Sequence, residues 1–370
     1  METTMNSRTI LLAIGLVAGL ASTAAQAQPQ PAVVGVIYPL KTLIGQQGRR
    51  GTELAADMLN ASGGVAGGSQ VKLIVYDDNF SPADGVAAAR RLASEDKAPI
   101  IIGIINSAVA MGVVQIAKQN QQLFLGAVTK APGVTDYDRG FRLNPTAATD
   151  GDVFNKYLLE RVDPQRLVII SENGDYGRLS LASMKTAFGT KLAGSELFEI
   201  LKQTDFSTLA TRVKAMNPDL VCIAATNPEQ SGSLLRAMQE AGVPGKRCML
   251  PGSVTPALVS VAGPAAEGIF TLDIWSPSMK NELNTRFVSA FESKHHETPN
   301  KVDYLGFESM WILGQAMRKA GTNSDTTKLA ATIAGGAWDT PRGQVRFVAN
   351  QAVPPLWVTM TVKGGKIVTE

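Results

Sequence analysis

The chain has 370 residues, of which 45% are hydrophobic and 18% are charged, enough for two ordinary domains with cores of their own. The formal net charge of +3 is nearly balanced, and no basic cluster carries interleaved aromatic residues, so we expect no nucleic-acid partner. Cys222 and Cys248 lie in or beside apolar runs, where a disulfide and two buried free thiols are both possible. Two cysteines and one adjacent pair of histidines, His295 and His296, predict no metal site and no cofactor.

The first 27 residues have the pattern of a secretory signal peptide. Arg8 precedes an apolar run, Ile10 to Ala21, and small residues follow that end in Ala25-Gln26-Ala27. A membrane anchor is the alternative, but a helix needs about 20 apolar residues to span a bilayer and this run is shorter. We therefore expect an exported protein that is cleaved after Ala27.

The first half of the mature chain alternates predicted strands with predicted helices, which is typical of a parallel sheet covered on both faces. A glycine-containing loop is predicted over Pro39 to Gly51, ahead of the first helix. The predicted strands are Val33 to Ile37, Val71 to Tyr76, Ile100 to Ile105 and Leu123 to Val128, and a helix is predicted from about Pro82 to Lys97.

One corner of this half has the features of a ligand site. The buried strand Ile100 to Ile105 is followed by Asn106 and Ser107, and apolar residues then recur at helical spacing. Ser107 is predicted to cap this helix, and a helix start with unpaired backbone N–H groups attracts anions. The alternative is that Ser107 is an N-cap and nothing more.

A second alternating half follows, and then a tail of a different kind. The predicted elements are helices Asp152 to Val162, Phe206 to Met216 and Pro228 to Gly242, strands Leu167 to Ile170, Glu196 to Ile200, Asp219 to Ala225, Cys248 to Leu250 and Gly268 to Trp275, tail helices Lys280 to His296, Val302 to Ala320 and Thr326 to Ile333, and tail strands Gly343 to Val348 and Leu356 to Val362. Lys363-Gly364-Gly365-Lys366 predicts a hairpin turn. We expect two doubly wound parallel-sheet α/β lobes joined by several crossing segments, with residues 28–146 and 276–349 in the first and 147–275 and 350–370 in the second. Such lobes suit hinge closure.

No catalytic motif supports the alternative of an exported hydrolase. A G-x-S-x-G elbow, an H-E-x-x-H pair and a P-loop are all missing from the sequence, and a serine triad lacks a suitably placed histidine. Asp77 and Asp78 follow a strand and fit a capped turn better than a cation site.

Several landmarks in order resemble one family over essentially the whole mature chain. They are Val34 to Gly51, Asn60-Ala61-Ser62-Gly63-Gly64-Val65, Tyr76-Asp77-Asp78, Ile102-Gly103 before Asn106-Ser107, Ala131-Pro132, Phe141-Arg142, Tyr176-Gly177, Asp205-Phe206 and Ala266-Glu267-Gly268. Their order and spacing are similar to those of the periplasmic leucine/isoleucine/valine-binding proteins, the substrate-binding components of ABC importers. The resemblance implies the type I periplasmic binding protein fold, a periplasmic monomer, a small-molecule ligand between the lobes and a membrane permease as partner.

The resemblance also implies a set of ligand-binding residues. Ser107, with its neighbours Asn106 and Ala108, matches the family's carboxylate-binding corner. The other matching positions are Gln47 at the mouth, Val128, Thr129 and Lys130 on the loop before Ala131-Pro132, Tyr176 and Thr226 on the second lobe, and Gly252 on the loop after the Cys248 strand.

This chain departs from the family where amino-acid-binding members hold the ligand's ammonium. Gly252 stands at one acidic position, a second acidic position falls near Ala147, and Lys130 replaces a threonine. Because an unpaired buried ammonium costs several kcal/mol, an α-amino acid is predicted to bind poorly. We expect a carboxylate with an apolar or aromatic body and no amine, with Lys130 facing either this ligand or water. An amino acid or amide, bound for transport or sensing on the same scaffold, is the alternative.

Overall fold

The structure, a computed structural model, describes Met1 and residues 30–200, 202–354 and 356–369. Apart from Met1, the predicted signal peptide lies outside the described residues. The elements before the first change of sheet are β1 Ala32–Tyr38, α1 Leu43–Ala61, β2 Val71–Asp77, α2 Pro82–Ser94, β3 Ile100–Gly103, α3 Ser107–Gln119, β4 Leu123–Gly126 and β5 Gly140–Arg142.

The second group of elements continues the alternation. These elements are α4 Ala147–Tyr157, β6 Leu167–Glu172, α5 Asp175–Phe188, β7 Leu192–Phe198, α6 Ser207–Ala215, β8 Leu220–Ala224, α7 Pro228–Glu240, β9 Lys246–Met249, α8 Pro256–Ala262 and β10 Phe270–Asp273. The tail comprises α9 Glu282–His295, α10 Lys301–Ala320, α11 Thr326–Ala334, β11 Ala337–Thr340, β12 Gly343–Val348, β13 Gln351–Val353, β14 Val358–Lys363 and β15 Lys366–Thr369.

The strands form two sheets, and each sheet is the centre of one lobe. The first lobe has the order β11-β12-β13-β5-β4-β3-β1-β2, and the second has β15-β14-β10-β9-β8-β6-β7. Strands β1 to β5 and β6 to β10 pair in parallel within their sheets, as β13 does with β5. The pairs β11-β12, β12-β13, β10-β14 and β14-β15 are antiparallel. The predicted two-lobed α/β architecture is therefore confirmed.

Side chains alternate between two cores on either side of each sheet. In β3, Ile100 and Ile102 pack with α1 and α10, while Ile101 packs with α2 and α3. In the second lobe, Val168 and Ile169 likewise belong to opposite cores. Short apolar runs become central strands here because both faces of each sheet are covered by helices.

The described chain passes between the sheets three times. It leaves the first sheet after Arg142, returns after Asp273, and enters the second sheet again at Val358. β13 still belongs to the first sheet, so the last crossing comes a few residues later than the predicted boundary at 349/350. Several crossing segments allow two rigid lobes to rotate about a shared hinge.

The predicted loop from Pro39 to Gly51 is wrong, because α1 already begins at Leu43. Gly48 and Gly51 serve helix packing instead of a turn. A Cβ on Gly51 would lie 1.8 Å from the carbonyl oxygen of Asp303 in α10, and a Cβ on Gly306 would lie 2.1 Å from that of Gly48. The two helices approach so closely that only glycine fits.

Replacing Gly51 with alanine is expected to lower the free energy of unfolding by about 1–3 kcal/mol, because the added methyl group must push α10 away. Gly151→Ala in α4 is the matched control, since its Cβ would meet only the movable Ser183 hydroxyl at 3.0 Å. Urea unfolding of both variants measures the difference. Equal stability of the two variants would contradict the packing argument.

The structure joins Cys222 and Cys248 in a disulfide, so the disulfide alternative of the sequence analysis is confirmed. The two cysteines are directly paired residues of the parallel strands β8 and β9, with Cα atoms 4.7 Å apart. They link the strands that lead into the loops of Thr226 and Gly252. Within the described residues, no helix has both the length and the apolar character that crossing a membrane requires.

Candidate functional site

The corner around Ser107 and the loop of Lys130 lie side by side at one edge of the first sheet. β3 and β4 are parallel neighbours, and these segments follow their carboxyl ends. The backbone N–H groups of Val128 and Thr129 donate to the carbonyl oxygen of Ile104 at 3.3 and 3.0 Å. Ligands of open α/β sheets bind at such an edge.

The predicted capping role of Ser107 is wrong, because Asn106 is the N-cap of α3. Its Oδ1 accepts hydrogen bonds from the backbone N–H groups of Ala108 and Val109 at 2.8 and 3.2 Å. These first-turn donors are therefore occupied and cannot hold an anion. Ser107 is the first helical residue and is exposed, and within the described residues its hydroxyl has no hydrogen-bond partner, which leaves it available to a ligand.

Two other predicted binding groups are engaged within the protein. The carbonyl oxygen of Val128 accepts a hydrogen bond from Asn144 Nδ2 at 2.8 Å. Thr129 is fully buried, and its hydroxyl accepts from the N–H of Ala131 at 3.2 Å. Both residues therefore shape the loop that carries Lys130.

Lys130 and Tyr176 come together across the two lobes. The Lys130 ammonium forms an ion pair with Asp150 of α4 and lies 5.5 Å from the centre of the Tyr176 ring. Burial is the largest single influence on the pKa of Lys130 and lowers it, but the charge and hydrogen bond of Asp150 together with the charges of Tyr176 and Asp273 outweigh burial and raise the pKa above its usual value. Lys130 is therefore a charged group at the interface between the lobes and does not point into water.

A second ion pair, which sequence reasoning missed, lies beside the first. Lys301 Nζ at the start of α10 is 2.5 Å from Asp273 Oδ1 at the end of β10, and the Asp273 charge also acts on Lys130. A Cβ on Gly252 would lie 3.5 Å from the same Lys301 Nζ. We call the following five residues the interlobe cluster: Lys130, Asp150, Tyr176, Asp273 and Lys301.

Thr226 is close to the cluster but is already hydrogen-bonded. Its backbone N–H and its hydroxyl both donate to Glu172 Oε2 at 2.8 Å. Burial raises the pKa of Glu172, and these two hydrogen bonds oppose that shift. Burial also raises the pKa of Tyr176, against the charge of Lys130 and a hydrogen bond with Ser253.

The remaining predicted residues are not tied to the interlobe cluster. Among the described residues, no hydrogen bond or ion pair joins Gln47, Asn106 or Ala108 to it. Gln47 is half-buried on α1, one helical turn before Gly51.

The structure brings other acidic residues to this cluster, although Gly252 and Ala147 stand where acids of the family were expected. Asp150 stands three residues after Ala147, and Asp273 and Glu172 also lie in or beside the cluster. Each acid is nevertheless engaged, with Lys130, Lys301 and Thr226 respectively. The signals that could have found Asp273 and Lys301 are an acid at the carboxyl end of a parallel strand and a cation at a helix start.

Comparison with known proteins adds independent observations. A family described as "Periplasmic binding protein" matches residues 31–366. The Leu/Ile/Val-binding protein of Escherichia coli (strain K12) is 26% identical over 352 residues, which cover 93% of each chain. Two solved structures are similar in fold. A solute-binding protein from R. palustris in complex with benzoate has a TM-score of 0.79, 21% identity and coverage of 92% of this chain and 95% of that chain. The substrate-binding protein LivJ from Streptococcus pneumoniae in complex with isoleucine has a TM-score of 0.81, 18% identity and coverage of 92% of this chain and 100% of that chain.

Two α/β lobes with charged side chains meeting between them define a type I periplasmic binding protein. The chain belongs to the periplasmic binding protein family and is a substrate-binding protein of an ABC transporter. This family binds solutes and delivers them to membrane permeases; it is not a family of enzymes. The resemblance noted in the sequence is therefore confirmed.

Proposed function

We propose that this substrate-binding protein takes up a small carboxylate, with an apolar or aromatic body and no α-amino group, between its two lobes. The observation that carries the proposal is the Lys130 ammonium, held at the interface between the lobes beside the Tyr176 ring. A carboxylate can pair with this cation and stack its apolar body on the ring. The exposed Ser107 hydroxyl, on the neighbouring corner, supplies a further donor.

The second candidate is an amino acid, and one observation favours it. Asp150, Asp273 and Glu172 are carboxylates that a ligand ammonium can reach if their present partners give way. Against this candidate, a ligand ammonium would have to displace the present partner of each carboxylate. The displacement leaves a lysine at the interface without its counter-charge or breaks the two hydrogen bonds of Thr226, and both are costly. A carboxylate ligand without an amino group does not have to displace the partners of Asp273 or Glu172.

A ligand screen separates the two candidates. Thermal shifts are measured with benzoate, phenylacetate, 4-methylpentanoate, leucine and phenylalanine, and each hit is confirmed by isothermal titration calorimetry. Binding energy stabilises the folded protein, so a bound compound raises the melting temperature. Stabilisation by the plain acids and not by their amino derivatives supports the proposal. The opposite order supports the amino acid.

Ser107→Ala is expected to weaken the binding of a confirmed acid by about 1–3 kcal/mol, since a carboxylate loses one hydrogen-bond donor. Ser94→Ala is the control, because the Ser94 hydroxyl binds the Arg90 carbonyl on the exposed surface of α2. Calorimetric titration of both variants gives the comparison. Unchanged affinity in Ser107→Ala would remove this corner from the proposed site.

Export and transport complete the proposal. We propose cleavage after Ala27, release of the mature chain into the periplasm as a monomer, and docking of the ligand-loaded form on an ABC permease. Binding that contacts both lobes shifts the chain toward the closed form that a permease can recognise. Mass measurement of the periplasmic protein tests the cleavage site, and size-exclusion chromatography with light scattering tests the monomer.

A further inference from the structure

Lys301 is an unusual residue of the interface between the lobes. Its side chain is 10% exposed, and its ammonium pairs with Asp273 at 2.5 Å. The geometry of this contact is not that of a hydrogen bond, and within the described residues Nζ has no hydrogen-bond partner. An ammonium carries three donors, so Nζ, which is buried in this arrangement of the lobes, has donors left for a further acceptor.

Helix stability does not account for a lysine at this position. Lys301 is the first residue of α10, where a cation meets the positive end of the helix dipole. The helix start is already capped by Asn300 and Asp303, which form a reciprocal capping box. Burying an ammonium there opposes folding, and residues that break a local rule in this way concentrate at functional sites.

The position of the Lys301 ammonium indicates which part of a ligand would lie beside it. Nζ would lie 3.5 Å from a Cβ on Gly252, a glycine whose φ of +91° disfavours any other residue. Asp273 acts on both Lys301 and Lys130, so the two cations flank one carboxylate. A ligand carboxylate that pairs with Lys130 would therefore lie near a second cation, Lys301.

We infer that Lys301 is a specificity-determining residue, which favours an acceptor oxygen and excludes an ammonium on the carbon next to the ligand's carboxylate. The inference rests on the proposed function and deepens it. The favoured ligand class is then the 2-oxo or 2-hydroxy acids, with an apolar or aromatic side chain. The ammonium of a 2-amino acid meets a like charge at the same place, which is an efficient way to reject it.

The test uses two pairs of probes that share a carbon skeleton: 4-methyl-2-oxopentanoate with leucine, and phenylpyruvate with phenylalanine. Affinities of the full mature protein are measured by calorimetry at pH 7. The parent is expected to prefer the oxo acid of at least one pair. Lys301→Met is expected to weaken oxo-acid binding at least tenfold and to reduce the preference over the amino acid by at least the same factor.

Two control variants complete the design. Lys301→Arg keeps the positive charge and is expected to keep the preference for the oxo acid. Lys294→Met removes an exposed lysine that pairs with Asp57 at 2.6 Å and is expected to change nothing. Circular dichroism establishes that each variant is folded.

The outcomes distinguish this inference from the proposed function. A parent that prefers the amino acid of each pair, or a folded Lys301→Met variant with an unchanged preference, overturns the role of Lys301. A folded parent that binds none of these probes and no plain acid of the earlier screen overturns the proposed function itself. The parent's preference can be read even if Lys301→Met fails to fold.

Discussion

Replacing Glu308 with glutamine is expected to lower the free energy of unfolding by about 3–5 kcal/mol, because the buried Arg342 charge then has no counter-charge. The two side chains are fully buried in the first lobe. Arg342 Nε donates to Glu308 Oε1 at 3.0 Å and Nη2 donates to Oε2 at 2.8 Å, a two-point contact. Glutamine keeps the shape but removes the negative charge.

The same ion pair supports the crossing segments. Arg342 Nη2 also donates to the carbonyl oxygen of Leu143 at 3.3 Å, just before the chain first leaves the lobe. Tyr304 donates to Glu308 and stacks on Trp275, with ring centres 4.7 Å apart, just after the chain returns. Loss of the pair is therefore expected to loosen the hinge as well as the core.

Urea unfolding measures this effect, and a double variant provides the control. Glu308→Leu combined with Arg342→Met replaces the charges with apolar side chains of similar length, and it is expected to be more stable than Glu308→Gln. A loss below about 1 kcal/mol in Glu308→Gln would show that Arg342 finds other compensation. A double variant less stable than the single one would show that the charges themselves hold the fold.

The alternation of strands and helices is well predicted from the sequence, because both faces of each sheet are covered and the central strands are short apolar runs. Capping residues also mark some of the helix starts. Asn227 caps α7 ahead of Pro228, and Gly364 and Gly365 form the predicted hairpin turn with φ of 57° and 72°. Local chemistry was sufficient in these places.

The predictions from the sequence were wrong where contacts between residues distant in the chain determine the structure. Gly45, Gly48 and Gly51 disfavour a helix by propensity, and only their tertiary neighbours explain them. A Cβ there would meet the Pro39 carbonyl oxygen, the Tyr38 ring and the backbone of α10 respectively. β5 at 140–142 and β13 at 351–353 are three residues long, too short to show a period. Their pairing depends on neighbours about 200 residues away in the chain.

The site was predictable only in part, for the same reason. Lys130 and Tyr176 were identified by resemblance, and the structure brings them to 5.5 Å. Asp273 and Lys301 come from different lobes and share no motif spacing, so only the fold places them together. The choice between Asn106 and Ser107 as cap depends on one residue of register, which sequence patterns do not fix.

Lys130→Met is expected to weaken the binding of a carboxylate by about 2–5 kcal/mol, since it removes a partly buried charged donor and leaves Asp150 unpaired between the lobes. Lys130 contacts both Asp150 and the Tyr176 ring, so its loss also removes a link between the lobes. Calorimetric titration with an acid from the screen measures the change. Lys156→Met, which breaks an exposed pair with Glu160 on α4, is the control.

Asp150→Asn is expected to act in the opposite direction and to strengthen the binding of a plain acid. Asp150 occupies the Lys130 ammonium in the structure, so a ligand carboxylate must compete with it. Asparagine keeps the size and an acceptor but removes the charge, which frees Lys130 for the ligand. The sign of the change therefore tells whether Asp150 competes with the ligand or binds it.

For an amino-acid ligand, the expected change in affinity caused by Asp150→Asn has the opposite sign. If the natural ligand carries an ammonium, Asp150 is its counter-charge, and Asp150→Asn must weaken leucine or phenylalanine instead of strengthening an acid. A double-mutant cycle of Lys130→Met and Asp150→Asn separates their mutual interaction from their separate effects on the ligand. Weaker binding of every acid in Asp150→Asn would contradict a plain carboxylate ligand, because no carboxylate gains from a second negative charge beside its own cation.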